Sequence, residues 1–214
     1  MSGMDSAFFI LEMIGVAAFA VSGAAAAIDK NTDIFGVIFL GMTTALGGGI
    51  FRDIMLGYLP PRMFEDYTYV AAAIISSLLV FIAARIWREG YFGHRDKIDA
   101  AVNVFDAIGL GVFTVSGMNL AIAHDGITNP LLVIVLGMAT GIGGGMVRDV
   151  MIGEIPFVLR KRVYAVASLA GGCVYYLMYL WRVDSVVSAV TGITVVFSIR
   201  MLATVFKWSL PKIK

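Results

Sequence analysis

The chain has 214 residues, 59% hydrophobic and 14% charged, with a formal net charge of +1. Ordinary soluble domains carry roughly 25% charged residues, so the composition points to an integral membrane protein. A near-neutral balance with two separated histidines leaves no basic stripe for nucleic acid, and the single Cys173 excludes an internal disulfide and a cysteine-based metal site.

Apolar runs between polar breaks predict seven spans, residues 7–28, 34–58, 67–86, 102–123, 130–153, 163–181 and 186–206. A helix needs about 20 residues to cross a 30 Å hydrocarbon core, whereas a barrel would show short alternating strands. The expected fold class is therefore all-α, with seven transmembrane helices. The breaks are Asp29 to Asp33, Pro60-Pro61-Arg62, Arg88 to Asp99, His124-Asp125-Gly126, Arg160-Lys161-Arg162 and Arg182-Val183-Asp184, none long enough for a soluble domain. Met1 to Asp5 carries an acid and no Lys or Arg, and no small-residue cleavage site follows, so the first span is expected to be retained.

Setting aside the two motif arginines, Arg52 and Arg148, and leaving Arg200 for separate treatment, Lys30, Arg85, Arg88, Arg95, Lys97, Arg160, Lys161, Arg162, Lys207, Lys212 and Lys214 fall on one side of a seven-span chain and Arg62 and Arg182 on the other. Eleven against two predicts a cytoplasmic C-terminus and an N-terminus outside. Arg200, near the cytoplasmic end of the last span, is expected to snorkel to the interface.

The segment Leu40 to Pro60 matches Leu136 to Pro156 without a gap at 12 of 21 positions, and its centre is Gly47-Gly48-Gly49-Ile50-Phe51-Arg52-Asp53 against Gly143-Gly144-Gly145-Met146-Val147-Arg148-Asp149. Upstream, Ile14 to Ile28 matches Ile108 to Ile122 at 8 of 15, with Phe19, Val21, Ser22 and Gly23 against Phe113, Val115, Ser116 and Gly117, and Glu12 opposite Asp106. The unit is three spans, residues 7–86 and again 102–181, with the span 186–206 added. An odd number of crossings inserts the second copy upside down, so the expectation is an inverted repeat with function near the midplane between the copies.

Three consecutive glycines weaken a helix, and the expectation at Gly47 to Gly49 and Gly143 to Gly145 is a bend or break. Freed backbone groups are tolerated in a membrane only when packed in protein or lining a wet cavity. Close helix packing is the alternative, since Gly41, Ala45, Gly49, Asp53 and Gly57 recur every four residues, as do Gly137, Gly141, Gly145, Asp149 and Gly153. By depth, Glu12 is expected to neutralise Arg52 in the outer half and Asp106 to neutralise Arg148 in the inner half, with Asp53 and Asp149 contributing. Paired intramembrane charges point to function, though a buried structural ion pair reads the same way. Ser22-Gly23 and Ser116-Gly117 sit where a small residue loosens a helix and a hydroxyl can rebond a carbonyl or contact an ion. His94 and His124 are expected to be solvated in loops. No phosphate loop, nucleophile–base pair or metal-ligand spacing appears, so no enzymatic activity, cofactor or bound metal is expected.

Phe-x-Val-Ser-Gly followed by Gly-Gly-Gly-x-x-Arg-Asp-x-x-x-Gly, twice across seven spans, resembles the prokaryotic members of the trimeric intracellular cation (TRIC) channel family, also described as UPF0126-type, glycine-transporter-like membrane proteins. The resemblance covers about Phe8 to Phe206. It implies a homotrimer in a prokaryotic inner membrane, each protomer holding its own pore for K⁺ or other monovalent cations between inverted repeats. On this resemblance the glycine triplets are the kinks at the constriction, Ser22 and Ser116 pore-facing hydroxyls, and Arg52, Asp53, Arg148 and Asp149 gating or supporting charges. The animal members carry a lysine near their first kink where this chain has Ile50 and Phe51, so lysine gating does not transfer. A cation channel and a carrier of glycine or another small amino acid fit the residues equally well.

Overall fold

The computed structural model describes residues 3–87, 95–124, 129–160 and 163–208. Seven helices among them are long and apolar enough to cross a membrane. They are α1 (Gly3–Asp29), α2 (Ile34–Met55), α3 (Tyr67–Ile86), α4 (Arg95–Ala123), α5 (Pro130–Met151), α6 (Val163–Leu180) and α7 (Ser185–Val205), with one turn of 3₁₀ helix at Arg62–Phe64 and a short helical turn at Phe157–Arg160. No strand occurs among the described residues.

Helix starts follow local chemistry. Asp33, Asp66, Asn129 and Asp184 each accept a hydrogen bond from a backbone amide of the first turn of α2, α3, α5 and α7, and Pro130 occupies the first turn of α5, where a missing N–H costs nothing. One boundary differs clearly from the hydropathy reading. α4 begins at Arg95, seven residues before the expected 102, because its polar first turns continue the helix beyond the apolar stretch. The break at Arg88 to Asp99 is shortened accordingly. Arg88, His94, Lys161, Arg162, Lys212 and Lys214 from the sequence reading lie outside the described residues, as do the breaks' Asp125 and Gly126.

The centre is built from α1, α2, α4 and α5. α1 packs on α2 and α4, α4 on α5, and α2 crosses α5, while α3 leans on α1 and α2, and α6 and α7 close against α4 and each other. Phe19 of α1 stacks on Phe113 of α4, ring centroids 5.4 Å apart, joining two positions that the repeat makes equivalent. Around them lies a core of Val16, Ala20, Ala45, Leu46 and Ala73.

The glycine triplets do not break their helices. α2 and α5 continue as α-helix through Gly47 to Gly49 and Gly143 to Gly145, contrary to the expected break. The reason is close contact between backbones. A Cβ on Gly48 would lie 2.0 Å from the Thr140 carbonyl oxygen, and one on Gly144 would lie 2.1 Å from that of Thr44. The absence of side chains lets the two helices touch at their crossing, as small residues do in membrane proteins. Gly23 and Gly117 act likewise toward the side chains of Thr44 and Thr140, with Cβ positions 2.4 and 2.6 Å from the hydroxyls. Gly47 and Gly49 have no such neighbour.

Candidate functional site

The doubled motif produces two buried arginine clusters. In the first, Arg52 Nε donates to Asp53 Oδ1 at 2.9 Å, and Nη2 lies 2.8 Å from the same oxygen. Arg52 Nη1 sits 3.5 Å from Glu12 Oε1 and donates to Ser116 Oγ at 3.3 Å. The Ser116 hydroxyl donates in turn to Glu12 Oε1, and Tyr69 donates to Glu12 Oε2 at 2.6 Å.

The second cluster repeats the plan. Arg148 Nε donates to Asp149 Oδ1 at 2.9 Å, and Nη1 donates to Asp106 Oδ1 at 2.8 Å and to Ser22 Oγ at 2.5 Å. Each arginine thus takes an acid from its own copy and a hydroxyl from the other, so Ser22 and Ser116 are buried hydrogen-bond partners of guanidinium groups. Arg52, Asp53, Arg148, Asp149 and Asp106 are also buried. Charges at such depth are retained when paired and fully hydrogen-bonded.

The motif aspartates have a second task. Asp53 Oδ2 accepts from the backbone amide of Arg62 at 3.0 Å, and Asp149 Oδ2 accepts from that of Phe157 at 2.6 Å. Each carboxylate therefore ties its arginine to the loop that turns back after the helix. Gly57 (φ 76°) and Gly153 (φ 72°) supply the left-handed residue that the reversal needs. The sequence pattern counted Gly57 and Gly153 in the small-residue stripes of their helices; the structure places both just beyond the helix ends at Met55 and Met151.

Three residues were missed or misread. Arg200 does not snorkel: it is 2% exposed, donates from Nη2 to Asn103 Oδ1 at 2.7 Å, sits 3.4 Å from Asp106 Oδ2, and lies over the Tyr164 ring at 4.7 Å. A carboxylate and an aromatic face within reach compensate the guanidinium better than a distant interface. His124 is not simply solvated; it is half-buried, its Nε2 is 3.0 Å from the Leu56 carbonyl oxygen, and its ring meets that of Tyr58 edge-on. Tyr69 is the third, invisible in sequence because its partner Glu12 is on another helix.

The clusters differ in access. A cavity of about 680 Å³ reaches Ser22, Asp106 and Arg148 from the end of the molecule marked by Asp29, Lys30 and Glu154. Five acids and two bases line it: Asp29, Asp99, Asp106, Asp149 and Glu154 against Lys30 and Arg148. At its mouth Lys30 and Glu154 form an ion pair of 2.7 Å. Beside Arg52 there is space of only about 30 Å³, room for a single water, bounded by Gly49, Arg62, Met63 and Tyr69.

A family model described as "Glycine transporter" matches the chain twice, over residues 9–85 and 103–180. The UPF0126 inner membrane protein YadS of Escherichia coli K12 is 35% identical over 94% of this chain and 93% of its own length. Among solved structures, the TRIC orthologue from Rhodobacter sphaeroides superposes with a TM-score of 0.83 at 30% identity, covering 94% of this chain and 98% of that one. A prokaryotic TRIC channel in 0.5 M KCl gives 0.85 at 32%, covering 95% and 98%. With this fold, two motif-built arginine clusters and relatives matched over almost its full length, the chain belongs to the bacterial UPF0126 family, whose solved relatives are TRIC channels.

Proposed function

We propose that the protein conducts monovalent cations, K⁺ among them, across a prokaryotic inner membrane, through one path per protomer of a homotrimer. The observation that carries this reading is the acid-rich vestibule, which ends on Arg148 at the α2–α5 crossing in a chain that superposes on TRIC cation channels. Five carboxylates against two cations give a potential that concentrates cations and repels anions. The path would run from the vestibule past Ser22 and Arg148, across the crossing where Gly48 and Gly144 meet, and out by Gly49 and Glu12. In the conformation described, the packed crossing, the Phe19–Phe113 stack and the small space beside Arg52 close it.

The repeat units are residues 7–86 and 102–181, inverted relative to one another, with 186–206 appended. The basic-residue bias supports an outside N-terminus and a cytoplasmic C-terminus. The Lys30–Glu154 pair and the His124–Leu56 contact agree with this topology, since they join the loops after spans 1 and 5 at one end and after spans 2 and 4 at the other.

A carrier of glycine or another small amino acid is the second reading, favoured by the name of the matching family model and by a cavity that reaches Ser22 and Arg148 from the Lys30–Glu154 end, as one end state of alternating access would. Purified protein in planar bilayers under a K⁺ gradient separates the two. Discrete openings reversing toward the K⁺ potential, with conductance lowered by Asp99→Asn with Glu154→Gln, establish the channel. Electrical silence with saturable glycine uptake by the same vesicles establishes the carrier.

A further inference from the structure

Asp106 has two cations, and the donors that would hold it in the absence of Arg148 are already in place. Arg148 Nη1 is 2.8 Å from Oδ1 and Arg200 Nη2 is 3.4 Å from Oδ2. Beside them, the Tyr164 hydroxyl and Arg200 Nε are buried side-chain groups with no hydrogen-bond partner, the two such groups among the described residues. Orphaned donors at full burial are uncommon and ask for a reason. The Tyr164 hydroxyl and Asp106 Oδ1 converge over Gly145, where an added Cβ would lie 3.1 Å from the first and 3.8 Å from the second. The corresponding tyrosine of the first cluster, Tyr69, has the bond that Tyr164 lacks, donating to Glu12 at 2.6 Å.

We propose that Arg200 is a positioning residue that, with Tyr164, takes over Asp106 when Arg148 swings into the vestibule, making the Arg148 cluster the moving gate and the Arg52 cluster a fixed one. The inference rests on reading this site as the transport path. A buried carboxylate stripped of its cation is strongly disfavoured, so an arginine leaves at lower cost where another cation remains for one of its carboxylates. Asp106 meets that condition. Glu12 does not: among the described residues Arg52 is the one cation within ion-pair distance, and its other partners are neutral hydroxyls. Space agrees with charge. Arg148 faces a cavity of about 680 Å³, Arg52 one of about 30 Å³. Asp149, held by the Phe157 amide, stays behind as the neighbour to which the guanidinium returns.

The test uses the full chain in lipid vesicles and planar bilayers. Cys173→Ala with Ser22→Cys places a thiol beneath Arg148, and its modification by a water-soluble methanethiosulfonate reagent reports withdrawal of the guanidinium without needing current. In this background Arg200→Gln should slow modification by about tenfold, Arg200→Lys should restore it in part, and Tyr164→Phe should slow it less. Asp106→Asn added to Arg200→Gln should bring the rate back up, because withdrawal of Arg148 then strands no charge at position 106 and only the Asp149 carboxylate still holds the guanidinium, and this recovery excludes misfolding as the cause of slowing. Equal rates in the parent, Arg200→Gln and Tyr164→Phe proteins overturn the proposal, as does slowing that Asp106→Asn fails to reverse. Altered rates in vesicles that pass no current leave the gate standing and remove the channel reading; currents whose open probability follows the modification rates support both.

Discussion

The Arg52 and Arg148 clusters are made of the same parts in the same order, an acid on the first helix of the copy, a serine from the other copy, an aspartate next to the arginine and an amide from the returning loop. Yet one borders a space of about 30 Å³ and the other stands at the foot of a cavity of about 680 Å³. Two small differences separate them. Glu12 is one methylene longer than Asp106 and reaches Arg52, Ser116 and Tyr69 together, filling its site. Asp106 is shorter and is shared with Arg200, which comes from the helix that has no counterpart in the first copy. A repeat can keep its chemistry and lose its symmetry through one side-chain length and one added helix.

The comparison is sharpest where the clusters should behave alike. Gly48→Leu and Gly144→Leu both drive a side chain into a carbonyl of the facing helix, and each should cost about 3 kcal/mol or more, seen as lost monodisperse protein in detergent. Retention of fold by either would mean that the crossing is looser than the 2.0 and 2.1 Å approaches indicate. The acids should then diverge. Asp106→Asn leaves Arg148 and Arg200 with one carboxylate between them and should lower stability by about 3–5 kcal/mol. Glu12→Gln leaves Arg52 with Asp53 and should cost about 1–3 kcal/mol. Equal shifts in melting temperature would erase the distinction drawn at Arg200.

The tyrosines should separate as well. Tyr69→Phe deprives Glu12 of a donor and should cost about 1–2 kcal/mol, whereas Tyr164→Phe removes a hydroxyl without a partner and should be neutral or stabilising in the resting protein. Denaturant titration of the pair decides it. The smallest effect lies outside the membrane, at the cap of the helix beside the Arg52 cluster. Thr68's hydroxyl and amide hold the Asp66 carboxyl below its ordinary value of 3.8. The charged cap therefore stabilises α3 fully above that value and loses its contribution as pH falls through the lower folded-state pKa. Asp66→Ala should cost about 0.5–1 kcal/mol near neutral pH, and the difference from the parent protein should vanish in acid.

The helices were legible because the membrane imposes their length. The span 67–86 coincides with α3, and α2, α5, α6 and α7 differ from the expected spans by a few residues at most. The start of α4 was not legible from hydropathy, which registers solvent preference and not hydrogen bonding. Pairing within a copy could be read from depth, because Glu12 and Arg52 had to lie at the same level. The bonds from Arg52 to Ser116 and from Arg148 to Ser22 could not, since the sequence carries no local spacing for partners 64 and 126 residues apart. Arg200 was hidden for the same reason; its bond to Asn103 spans 97 residues.

The crosswise serines have a further consequence. Because each arginine borrows a hydroxyl from the opposite copy, neither three-helix unit carries a finished charge site alone; each is a lock whose last pin belongs to its neighbour. Two fragments divided in the segment 88–94 should therefore fail when expressed singly and recover when co-expressed. The same exchange describes how a single three-helix ancestor could have worked as a pair of identical chains, each lending its serine to the other, before one gene came to encode both.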